Sequence, residues 1–127
     1  MNITERTAVR FLTEAKYYAK QAQHHKALDS VNYSMSYGKW PDSFSVRANI
    51  YLKLGKLDDA IKDFKKSVTM TEKHLAGGVG NAESVEDYIQ SLTSLAGILY
   101  DRKNYKEAKE YIDKAQFAIL SYDYFKG

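Results

Sequence analysis

A catalytic centre needs a nucleophile beside its base, paired carboxylates in one pocket, or a cluster of metal ligands. The 127-residue chain offers few such groupings. It has no cysteine, which excludes disulfides, thiolate metal sites and a cysteine nucleophile. His24 and His25 are adjacent, so on a helix they point about 100° apart and do not chelate as an i, i+4 pair would. His74 is distant in sequence, and all three read as solvated histidines. Gly77-Gly78-Val79-Gly80 has the glycine density of a phosphate loop. It follows a helical stretch instead of a strand and lacks the Gly-Lys-Ser/Thr ending, so it reads as a flexible linker. The acidic pairs Asp58-Asp59 and Glu86-Asp87 fall near predicted helix starts, where the helix dipole accounts for them without catalysis. Asn2-Ile3-Thr4 and Asn32-Tyr33-Ser34 fit the glycosylation pattern, which has meaning only in a secreted chain. No catalytic residue, cofactor or metal site is expected, and the chain does not read as an enzyme.

The elements that hold these residues follow from composition and period. Hydrophobic residues make up 44% and charged residues 28%, with a single proline, which describes an ordered helical chain of one domain. No apolar run is long enough to span a membrane. Met1 to Thr13 carry charges where a signal peptide needs an apolar core, so a reducing, cytoplasmic setting is expected. The net charge of +3 is too small to argue for nucleic acid. Its distribution is uneven: residues 1–40 carry a net +3 and residues 81–127 a net −2. That gradient reads as composition drift or as end-to-end attraction between molecules.

Three segments repeat. Phe11, Ala15, Tyr18, Ala27 and Val31 recur, 33 residues on, as Phe44, Ala48, Tyr51, Ala60 and Phe64. After a further 48 residues they recur as Leu92, Ala96, Leu99, Ala108 and Ile112. Within each copy the first three positions lie at i, i+4 and i+7, one helix face. A break follows at Gln21-Ala22-Gln23, Gly55-Lys56 and Lys103-Asn104, and then a second amphipathic helix begins. Each copy is therefore a helical hairpin. The alanines let the two axes approach near the lower end of the roughly 8–10 Å range of packed helices. Six helices are predicted, over 5–21, 24–37, 42–54, 57–75, 82–102 and 105–121. Pro41 suits a helix start, with Asp42 or Ser43 contributing there, and Gly38 suits the end of the helix before it. Ser84-Val85-Glu86-Asp87 resembles a capping sequence, and residues 76–83 read as a glycine-rich loop. Most tyrosines and phenylalanines fall at core offsets, so packing outweighs base stacking.

The chain resembles the tetratricopeptide repeat, a helix–turn–helix of about 34 residues. The second copy carries the resemblance best, with Phe44 where the family has Trp, followed by Ala48, Tyr51, Gly55, Ala60 and Phe64. The family's late proline is present only as Pro41, and Glu14 and Arg47 stand where it usually has Leu. The resemblance implies an all-α, right-handed α-solenoid of three hairpins in a single domain, with repeats at 8–40, 41–74 and 89–122. It further implies a concave groove lined by the first helices, where a protein or peptide partner binds. In the family's frame the leading groove candidates are Leu12, Lys16, Lys20, Ser45, Asn49, Leu52, Lys53, Thr93 and Tyr100, with Val9, Ala19, Asp42, Gln90, Gly97 and Asp101 beside them. Asn49 stands where the family's peptide-binding Asn is typical, and its amide can both donate to and accept from a peptide backbone. The family's carboxylate clamp is not reproduced: its positions hold Leu12, Lys16, Val46, Gln90 and Ser94.

The expected function is a non-enzymatic interaction module or scaffold, holding a partner's peptide or helix in that groove. The alternatives are a small secretion-type chaperone shielding an amphipathic client helix, or an accessory domain of a larger enzyme or regulator. An apolar groove would favour the chaperone-like reading and a basic one an acidic motif, and Lys16, Lys20 and Lys53 tilt the expectation to the acidic motif. Ile119 to Phe125 carry no polar cap, so this end is expected to be covered by another subunit through self-association of the last hairpin, by the partner, or by a continuation of the chain. Glu14 and Arg47, at equivalent places on adjacent first helices, are expected to pair.

Overall fold

The computed structural model describes residues 1–78 and 82–126, with side chains at all of these except 82 and 122–126. Six helices account for the described residues: α1 (Ile3–Lys20), α2 (His24–Met35), α3 (Pro41–Lys53), α4 (Leu57–Ala76), α5 (Ala82–Asp101) and α6 (Tyr105–Lys126). There are no strands among them, as the periodicity predicts. The chain divides into two compact units, Met1–Lys66 and Ser67–Gly127, with the dividing point inside α4. In the first unit α1 packs on α2 and α2 on α3. In the second α5 packs on α6, and Val68, Leu92 and Ala115 form a core flanked by Tyr88 and Tyr111.

All six repeat alanines are buried: Ala15, Ala27, Ala48, Ala60, Ala96 and Ala108 expose 3% or less. The turns between paired helices are also alike. In each, one residue takes the left-handed conformation: Ala22 (φ 58), Gly55 (φ 76) and Lys103 (φ 65). Around each, two backbone bonds close the preceding helix end. Ala22, Gly55 and Lys103 N–H donate to Ala19, Leu52 and Tyr100 at 3.1, 3.1 and 2.9 Å. Gln23, Lys56 and Asn104 N–H each donate at 2.9 Å to Tyr18, Tyr51 and Leu99. This double bond is the Schellman cap, which satisfies carbonyls that a helix end otherwise leaves open. The three turns recur at the same shifts of 33 and 48 residues as the alanines.

Several expectations need correction. Glu14 and Arg47 do not pair with each other. Each binds within its own hairpin: Glu14 accepts from Ser30 Oγ at 3.2 Å, and Arg47 grips Asp63 with two bonds at 2.7 and 3.0 Å. That bond raises the Arg47 pKa above its ordinary value. Gly38 does not end α2 by a left-handed turn, because the helix stops at Met35. Its bare Cα makes room for Trp40, whose ring would lie 2.8 Å from a Cβ placed there. Pro41 does open α3, and Ser43 Oγ accepts from Trp40 N–H at 3.1 Å, so Ser43 contributes to that terminus as expected. Ser84 does not precede α5 as an N-cap would, since that helix already begins at Ala82. None of the described tyrosines is fully buried, although Tyr88 and Tyr111 pack against the core of the second unit. Ile112 stays 40% exposed although its counterparts Val31 and Phe64 are buried.

Of the expected loop at 76–83, Gly77 and Gly78 form a turn, while Ala76, Ala82 and Glu83 are helical. Ala76 ends α4 and α5 starts at Ala82; residues 79–81 lie outside the described residues. Relative to the frame set by α2 and α3, α4 runs on through residues 69–76, α5 starts early through 82–88, and α6 runs on through 117–126. The extra sequence before the third copy is thus spent mostly on helical turns.

Two stability outcomes follow. Ala22→Gly and Lys103→Gly should each stabilise by about 0.5–1 kcal/mol, because a side chain is disfavoured in the left-handed region, while Gly55→Ala should cost about 1 kcal/mol. Urea unfolding of the three variants checks the opposite signs. Ala60→Leu should destabilise by about 1–3 kcal/mol through overpacking. An unchanged melting temperature would refute the close helix contact there.

Candidate functional site

The expected groove residues divide sharply by burial. Leu12 and Ser45 are buried, so neither presents a contact surface. Ser45 Oγ instead donates to the Asp42 carbonyl at 3.1 Å. Lys16 Nζ lies 2.8 Å from Asp42 Oδ2, bridging α1 and α3. Asn49 is exposed, but its amide nitrogen donates to the Ser45 carbonyl one turn back at 2.9 Å. Lys20 and Lys53 are exposed, and Leu52 is half-buried. The structure thus joins Lys16, Asp42, Ser45 and Asn49 into one run of polar contacts on the first unit. Thr93 and Tyr100 belong to the second unit. Thr93 is exposed, and its hydroxyl donates to the Ile89 carbonyl at 2.7 Å. Tyr100 is also exposed, with its ring edge-on to Tyr105 at 5.0 Å between centroids.

Among the described residues no group of His, Cys, Asp and Glu is arranged to hold a metal. His25 and His74 are exposed. His24 departs from the solvated reading: it is half-buried, and its Nδ1 is buried without a hydrogen-bond partner. No helix of the described residues is long and apolar enough to cross a membrane.

Sequence reasoning missed a concavity in the second unit. A groove of about 880 Å³ lies in the second unit, between α4, α5 and α6. Leu75, Val85, Phe117 and Ala118 give it an apolar lining, with Asp113 and Ser121 at its edge. Except for Asp113 and Lys114, every lining residue lies on one of the three helical extensions. The groove is therefore built by turns that the repeat frame does not contain. Phe117 leans over it and is 73% exposed.

One polar knot closes an edge of this groove. Glu72 Oε2 accepts from Tyr88 Oη at 2.7 Å and from Lys114 Nζ at 2.9 Å, tying the three helices at a single oxygen. Burial, and then the bond to Glu72, push the Tyr88 hydroxyl well above the ordinary tyrosine range. Tyr88 therefore stays neutral and donates across the whole physiological pH range. The knot is a fixed hydrogen-bond anchor, not an acid–base pair. The available signals were the excess length between copies two and three and the apolar Leu75, Val85 and Phe117 outside the frame.

Comparison with known proteins adds to this geometry. The family model described as tetratricopeptide repeat matches residues 41–74, and a second model with the same description matches 89–115. No curated protein matches the chain. The second match opens at Ile89, the counterpart of Pro41, and so leaves out the early turns of α5. Repeats of this kind generally mediate protein–protein interaction and are typically non-catalytic. With an alanine, a left-handed turn and a second alanine spaced alike in all three hairpins, the chain belongs to the tetratricopeptide-repeat family.

Proposed function

We propose that this chain is a non-enzymatic protein-interaction module whose partner lays an apolar helix into the groove between α4, α5 and α6. The observation that carries the reading is the apolar lining of Leu75, Val85, Phe117 and Ala118, held open by helical extensions outside the repeat frame. A concavity of this size with few polar groups suits side chains spaced at i, i+3 or i+4, and i+7. Glu72, Tyr88 and Lys114 supply orientation at one edge. This is nearer to a chaperone-like shield for an amphipathic client than to a binder of acidic motifs.

A second surface supports the acidic-motif alternative. Lys20 and Lys53 are exposed in the first unit, beside Lys16 and Asn49 on the same two helices. Both Lys16 and Asn49 already hold partners within the chain, which weakens their pull on a ligand. The repeat frame 8–40, 41–74 and 89–122 as one domain is retained in the same proposal.

The two surfaces predict different peptides. A displayed library of helical peptides, selected on the intact chain, should enrich apolar heptad-like sequences. Their affinity should fall at least tenfold for Val85→Glu and stay unchanged for Lys20→Ala with Lys53→Ala. Enrichment of acidic peptides with the reverse sensitivity would overturn the groove reading in favour of the α1–α3 surface.

A further inference from the structure

The groove between α4, α5 and α6 has two unlike ends along α6. Asp113 stands at one and Ser121 at the other, about 12 Å apart along the helix. Phe117 lies midway, one turn from each. The apolar lining requires an occupant that buries hydrophobic side chains. The charges at the Asp113 end decide what that occupant carries beside them.

The lining holds two carboxylates, Glu72 and Asp113, and one amine, Lys114. The Lys114 charge is spent inside the chain, since its Nζ lies 2.9 Å from Glu72 Oε2. Asp113 is placed differently. Lys109, which is not part of the lining, donates to its Oδ2 at 2.8 Å, while Oδ1 has no partner among the described residues. Lys109 is 76% and Asp113 55% exposed, so water screens the pair and Oδ1 stays open to a further cation. Glu110 adds a second carboxylate. It is exposed, holds no partner among the described residues, and precedes Asp113 by three residues and Phe117 by seven. That spacing puts all three on one helix face. One turn further out, the charges of Lys106 and Glu107 offset each other. The groove therefore runs from an acidic mouth at Glu110 and Asp113, over Phe117, to a neutral hydroxyl at Ser121.

We infer that the occupant of this groove is a cationic amphipathic helix, with a Lys or Arg beside its apolar stripe that meets Asp113 and Glu110. The inference rests on the groove reading and adds the sign and the place of the partner's charge. An anionic flank at that mouth would meet two carboxylates, and like charges brought together suppress the wrong partner. The mouth also orients the partner, because the end of the stripe that carries the cation lies at Asp113.

The test uses the intact chain and two synthetic helices that share one apolar stripe and are flanked at one end by Lys or by Glu. Fluorescence anisotropy should show the Lys-flanked helix binding about three- to fivefold more tightly, with the margin shrinking in high salt. Glu110→Lys together with Asp113→Lys should reverse that preference, and circular dichroism checks that the helices remain formed. Val85→Glu should weaken both synthetic helices alike. Equal binding of the two, or a preference that the Glu110 and Asp113 exchange does not move, overturns the cationic partner while the groove stands. Failure of both to bind, or binding that ignores Val85→Glu, overturns the groove reading and this inference with it.

Discussion

The closest approach of paired helices at buried alanines is the constraint on which the rest depends. In every hairpin seven residues separate the first alanine from the left-handed residue, and five separate that residue from the second alanine. The turn fixes the angle at which the chain reverses, and the alanines fix how near the two axes come. Neither is sufficient alone. A Schellman cap without small residues would splay the helices, and small residues without the cap would leave helix-end carbonyls unsatisfied. The cost of a side chain at φ > 0 is accepted at Ala22 and Lys103, which shows how strongly packing holds this geometry.

Once the axes are set, the slot beside each alanine contact accepts varied chemistry. Its two positions are Glu14 and Ser30 in the first hairpin, Arg47 and Asp63 in the second, and Leu95 and Tyr111 in the third. A hydrogen bond, an ion pair and an apolar pair of residues thus occupy equivalent places. The ion pair is the most demanding occupant. Asp63 is nearly buried, so its charge depends on the two bonds from Arg47, and removal of either partner strands the other. Arg47 also donates to Asn32 Oδ1 at 2.9 Å, so the same guanidinium links α2 to α3. A substitution that looks like a departure from the family's leucine is, in the folded chain, a joint between three helices.

The hairpins were legible because their signal is redundant. Helix period, small residues and turn positions all recur at one shift, and each confirms the others. The groove was not legible, for the opposite reason. Leu75, Val85 and Phe117 each occur once, with no counterpart copy to mark them, and the neighbouring glycines favour a loop. Leu12 and Ser45 were misread because a family frame assigns a position to a face, whereas in the folded chain both side chains are buried. Tyrosine misled in another way. It carries a large apolar ring with a polar tip, so core offsets are compatible with the half-buried ring of Tyr18 and with the exposed, edge-on rings of Tyr33 and Tyr100.

The two concave or polar surfaces differ in what a ligand must displace. On α1 and α3, Lys16 and Asp42 are both well exposed, and such a pair contributes at most about 1 kcal/mol, so a carboxylate could compete for the lysine. What it gains is equally small, because solvent screens it as well. In the groove, Leu75, Val85 and Phe117 hold no partner that must be broken, and each apolar Å² covered returns about 25 cal/mol before ordering costs. The knot at Glu72 stays closed while this happens, since Tyr88 and Lys114 both donate to it from within the chain. In the proposed complex binding energy concentrates where the helices outgrow the repeat, and the repeat itself serves to hold those overhanging turns in place.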